Sequence, residues 1–291
     1  MSSRLPSGAN VLLIFIQLLC FGGDSLIKTT WLIVLAVCLV LVARATAQDD
    51  VKKFRYQPSK IAVGTVYHYV KTNIDGTHPE QISIYVAAKD RLESFKFDPK
   101  AEPAGLVIAE MDWTNFSVKR LQSWQVFTGA EKKLFATLSY ADGETTVSIP
   151  TSGKPDEKTA IKHLPFHVYN FDLASLNFAF RHLVNPRAEF TIGIADPTFK
   201  EAPLFAYQGE ATIEYISEEP RNGAACRKYK IDGRGLGNRG GFIWVNKAKE
   251  HIEDMEIALP DNPDWQTFKF LLQRIEQLQP AEWQAFIKAQ F

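Results

Sequence analysis

Beyond residue 47 the chain holds one cysteine, Cys226; Cys20 and Cys38 lie in the apolar leader. A lone thiol excludes an intramolecular disulfide there, so core packing must hold the fold together, and a buried, inert Cys226 is expected. The chain also lacks an excess of either charge: 33 basic residues balance 33 acidic ones. No basic stripe is left to track a nucleic-acid backbone, and no polybasic segment to hold a membrane surface. Apolar runs are short. Residues 11–21 and 31–43 fall below the roughly 20 residues a spanning helix needs, and Gly22-Gly23-Asp24 separates them. Neither G-x-S-x-G nor H-E-x-x-H occurs, so no elbow serine and no helical zinc pair is legible.

What the leader does contain is an export signal. Lys28 supplies a positive flank, residues 31–43 an apolar stretch, and Ala45-Thr46-Ala47 a small-residue cleavage box before Gln48-Asp49-Asp50. Residues 1–47 are therefore expected to act as a secretory signal peptide, with 1–25 an upstream extension of the reading frame. The bulky residues before Cys20 and Cys38 argue against lipid attachment at either. Residues 48–291 are expected to form one exported domain, periplasmic or secreted. Removing Arg4, Lys28 and Arg44 against Asp24 leaves that domain a net charge of −2.

The domain reads as strand after strand. Residues 63–72 alternate, with Val66, His68 and Val70 on one face and Thr65, Tyr67, Tyr69 and Lys71 on the other. Asp75-Gly76 marks a turn before 81–88, and Asp142-Gly143 a second turn, between 133–141 and 144–149. Such dipeptides between alternating runs favour hairpins. Further runs cover 91–97, 105–113 and 116–127, and then 189–195, 209–217, 225–232, 241–246, 251–258 and 268–277, with a hairpin loop at 246–250. Two stretches break the pattern. Residues 171–183 predict a short amphipathic helix capped by Asn170. Pro280 opens a second helix over 281–290, with Trp283, Phe286 and Ile287 as its buried stripe. The polar stretch 150–162 reads as a loop. The fold expected is mainly β: an antiparallel sheet curved into a half-barrel or open barrel, with two short helices.

Gly235-Leu236-Gly237-Asn238-Arg239-Gly240 matches G-x-G-x-x-G, yet a strand-like run follows it where a dinucleotide site needs a helix. The segment is expected to be a loop between strands, with Arg234 and Arg239 placed to touch an anion. His163 and His167 are four apart, but Pro165 forbids a helix between them. On a strand they would lie about 13 Å apart, too far to share a zinc ion. No metal and no cofactor is expected.

Aromatic residues gather in the middle of the chain: Phe166, Tyr169, Phe171, Phe178 and Phe180, with Trp124 before them and Trp244 after. They are expected to line a concave apolar pocket, the helix at 171–183 acting as a lid or plug. The segments Ala225-Cys226-Arg227-Lys228-Tyr229-Lys230-Ile231, Gly241-Phe242-Ile243-Trp244-Val245 and 251–260 resemble the terminal meander of a periplasmic family of unknown function. That family is related to the lipoprotein-carrier-like half-barrels. Export, the β-architecture and the aromatic middle segment set the expectation of a non-catalytic binder of a lipid or other hydrophobic ligand, serving envelope maintenance or transport, and the resemblance implies acyl-chain binding in the half-barrel. It supplies no functional residue by motif. Two rival expectations stand beside it. One is an interaction module of an envelope complex with a packed core. The other is a hydrolase of envelope polymers or lipids built around His163, His167 and Asp172.

Overall fold

The computed structural model describes residues 50–98, 103–198, 202–260 and 265–291. The expected signal segment 1–47 lies outside the described residues. Among those described, no helix is long and apolar enough to cross a membrane.

Among the described residues fifteen strands form one sheet. The first eight are β1 (Thr65–Thr72), β2 (Glu80–Ala88), β3 (Arg91–Phe97), β4 (Ala104–Asp112), β5 (Ser117–Phe127), β6 (Glu131–Ala141), β7 (Glu144–Ser148) and β8 (Glu157–Ala160). The remainder are β9 (Phe166–Val168), β10 (Phe190–Pro197), β11 (Phe205–Arg221), β12 (Ala224–Asp232), β13 (Gly241–Asn246), β14 (Ile252–Ile257) and β15 (Phe268–Gln277). Across the sheet they run β8-β7-β6-β5-β4-β3-β2-β1-β15-β14-β13-β12-β11-β10-β9. Two meanders therefore meet where β1 pairs with β15. Every pairing is antiparallel except β9 with β10. The expected mainly β, open antiparallel barrel is the fold observed.

The curl has a local cause. Register shifts interrupt the ladders at His68/Tyr69, Glu110/Met111, Ser123/Trp124, Ile194/Ala195, Tyr215/Ser217 and Trp244/Val245. Each bulge bends its strand and sharpens the twist, and bulges spread over both meanders roll the sheet. The two edges approach without a backbone ladder. Thr159 Oγ1 on β8 donates to the Phe205 carbonyl at 2.9 Å, and the Leu204 N–H donates to Glu157 at 2.6 Å. On the other edge, the Phe166 N–H of β9 donates to Ser117 Oγ of β5 at 2.8 Å.

Helix α1 (Ala174–Ala179) is wholly buried against the inner face. It is shorter than the helix expected over 171–183. Asp172 and Leu173 take left-handed backbone angles, so Leu173 rather than Asn170 precedes the helix, and a 3-10 turn at Phe180–His182 follows it. Helix α2 (Pro280–Lys288) packs on the opposite face. Its Trp283 and Ile287 meet Val66, Tyr85, Phe95, Leu106 and Val126 of β1 to β5. Those strands are covered on both sides, which is why β1 is buried along almost its whole length.

Candidate ligand-binding cavity

The inner face is packed around α1 and borders a hollow. There a cavity of about 320 Å³ opens between two walls. One wall is the inner face of β4 to β7: Val107, Leu121, Ser123, Ala136, Leu138 and Val147, with Phe135, Thr137 and Ile149 beside them. The register explains the grouping. Ser123 pairs with Val107 on one side and Ala136 on the other, and Leu121 pairs with Leu138, which pairs in turn with Val147. The other wall is Val168, Asn170, Phe171, Pro197, Leu204 and Phe205. Phe135, large and 44 % exposed, is the exposed aromatic of the lining. Among the described residues no lining residue is charged. Nearby charges are already engaged: Lys96 contacts Asp172 at 2.7 Å and the Asn170 carbonyl at 2.8 Å, and Asp196 accepts the Asn170 N–H at 2.7 Å.

Of the aromatic residues singled out in the sequence, Phe171 lines this cavity. Phe166 packs on Tyr140, Tyr169 on Phe268, Phe178 on Tyr67, and Phe180 on Phe190 and Tyr229, all in the inner core. Trp124 and Trp244 are elsewhere. Trp124 packs into the outer core beneath α2. Trp244 is buried beneath Arg221 and Lys228, with its indole N–H on Glu219 at 2.6 Å. The aliphatic half of the lining was missed, because Val107, Leu121, Leu138 and Val147 alternate as any core strand residue does.

The glycine motif serves packing. Gly235 belongs to a 3-10 turn, Arg234–Leu236, that lies on β11, and a strand follows. A side chain on Gly240 would sit 1.9 Å from the Ile231 carbonyl oxygen, and one on the adjoining Gly241, outside the motif, 1.8 Å from the Glu256 carbonyl oxygen, so β-carbons are excluded at both by backbone contact. Arg234 and Arg239 are exposed and do not line the cavity.

The histidines and Asp172 do not converge. His163 contacts Asp50 at 3.2 Å. His167 bonds Ser175 at 2.8 Å, an arrangement of base and hydroxyl that is fully buried and offers no approach to a substrate. Burial holds the His167 pKa down at about 3. Asp172 sits between Lys71 and Lys96. Among the described residues no group of histidine, cysteine and carboxylate side chains is placed to hold a metal ion. Cys226 is buried, and desolvation pushes its thiol up to about 11, far from a reactive thiolate.

With the geometry in place, comparison adds little. No protein-family model and no curated protein matches the chain. A solved structure of a beta-barrel-like protein of the domain of unknown function DUF1849, from Brucella abortus, is similar over 74 % of this chain and 97 % of its own. The two share 10 % sequence identity, with a TM-score of 0.39.

Proposed function

We propose that this protein is a non-catalytic binder of a lipid or other hydrophobic molecule, working outside the cytosol, and that the β4–β7 cavity is its site. The observation that carries this reading is a hollow, mainly aliphatic and without charge among the described residues, between the β4–β7 wall and the side formed by Val168, Phe171, Pro197 and Phe205. The expected export signal supports that compartment, and envelope maintenance or transport is the role we propose there. At about 320 Å³ the cavity lies at the small end of ligand pockets, which span about 300–1,000 Å³. That volume equals about ten water molecules, enough for one short hydrocarbon chain. Ten buried methylenes contribute about 8 kcal/mol, a micromolar affinity before the costs of ordering. A micromolar ligand is shed during purification, so equilibrium titration is the appropriate test.

The protein should enhance the fluorescence of the neutral probe N-phenyl-1-naphthylamine with a micromolar dissociation constant. Leu121→Trp, which fills the hollow from its sheet wall, should abolish the enhancement while the far-ultraviolet circular dichroism stays unchanged. Undiminished enhancement in a folded Leu121→Trp protein would place binding elsewhere.

A further inference from the structure

The polar side chains in the lining are few, Ser123, Thr137 and Asn170, and all three are half-buried. Ser123 sits on β5 between two cavity residues, Val107 and Ala136, and its hydroxyl makes no hydrogen bond among the described residues. Asn170, on the other wall, uses its backbone N–H and carbonyl for Asp196 and Lys96, and its side-chain amide has no partner among the described residues. Together they offer a hydroxyl and an amide, groups that both donate and accept. Among the described residues, the charges near the lining are committed to the protein: Lys96 to Asp172, Asp196 to Asn170, and Glu157 to the Leu204 N–H.

Resting on the binding role above, we propose that the cavity selects a single-chain amphiphile with an uncharged, hydrogen-bonding head, such as an alcohol, amide or ester. It discriminates against fatty-acid anions and alkyl cations. An ion drawn out of water needs a counter-charge or several strong hydrogen bonds, and the described lining residues carry no charge. A hydroxyl or amide head exchanges bonds with Ser123 and Asn170 and loses little on leaving water.

Calorimetric titration of the full-length protein with 1-decanol, decanoate and decyltrimethylammonium at pH 8 tests this. The three share one chain and differ in head charge. Decanol should bind at least tenfold more tightly than either ion, and Asn170→Leu or Ser123→Ala should narrow that gap by weakening decanol alone. Because the head-group comparison uses the unaltered protein, it stands even if a variant fails to fold. Equal or tighter binding of either ion overturns the head-group assignment and leaves the cavity as the site. Heat from none of the three overturns the cavity reading itself, and this inference with it.

Discussion

At the scale of single residues, the glycine-rich loop shows why a motif and its structural cause must be separated. Gly237 has φ of 59° and space around its missing β-carbon, whose nearest neighbour would be Leu259 at 3.5 Å. Gly241 has an ordinary backbone angle and no space at all. Alanine at the first position meets only the left-handed penalty, about 1–2 kcal/mol. Alanine at the second forces two backbones apart, and should cost about 3 kcal/mol or more. Urea unfolding of Gly237→Ala and Gly241→Ala measures both. Similar midpoints for the two would mean that the β13–β14 contact is looser than described. Nothing in the glycine spacing separates these causes, because a close approach to Glu256 is a property of the folded sheet. The same holds for the cavity. Phe171 was legible as an aromatic in an unusual segment, whereas Val107 and Leu121 read as ordinary inward strand positions. Phe178 and Phe180 occupy the packed core, so a charged substitution at either would report on folding rather than on a ligand.

At the scale of elements, alternation and turn dipeptides were enough to place most strands, since one face of each is buried and the other is not. β8 escaped because Glu157, Lys158 and Thr159 carry no apolar alternation; it is an edge strand tied across by Thr159 and Glu157. α2 was legible for the opposite reason. Pro280 suits a first helical turn, a capping box joins Gln279 and Glu282, and Trp283 and Ile287 lie one turn apart. What the stripe does not disclose is which face of the sheet it covers. The structure places it outside, with the Trp283 ring stacked on Tyr85 at 5.1 Å and its indole N–H donating to Glu93 at 2.8 Å. Trp283 is fully buried. Trp283→Ala should therefore cost about 3–5 kcal/mol by opening a hole between helix and sheet. Trp283→Phe retains most of the apolar contact but leaves the buried Glu93 short of a donor, and should cost about 1–3 kcal/mol. Denaturant midpoints decide. A Trp283→Ala protein as stable as the parent would mean that α2 contributes nothing to the fold.

At the scale of the whole molecule, the barrel buries two histidines deeply enough to suppress their protonation while it is folded. His167 and His182 have no exposed surface, and desolvation holds their pKa values at about 3 and about 4. Arg181 and Lys60 depress His182 further. In the unfolded chain both titrate near the usual value of about 6.5. Below that pH the unfolded chain takes up two protons that the folded chain refuses. Stability is therefore full above about pH 6.5 and falls as pH drops toward 4. Each histidine contributes a slope of about 1.4 kcal/mol per pH unit. The pair should make the protein about 4 kcal/mol less stable at pH 5 than at pH 7.5, well before most carboxylates begin to protonate. Urea unfolding at the two pH values measures the difference. His167→Leu should remove about half of the pair's share of the slope, whatever it does to stability at pH 7.5, because a leucine takes up no proton in either state; His68, whose pKa burial also lowers, adds to what remains. An unchanged slope in His167→Leu would mean that water reaches the inner face of the sheet at β9, and that the closure by Ser117 and Phe166 is open in solution.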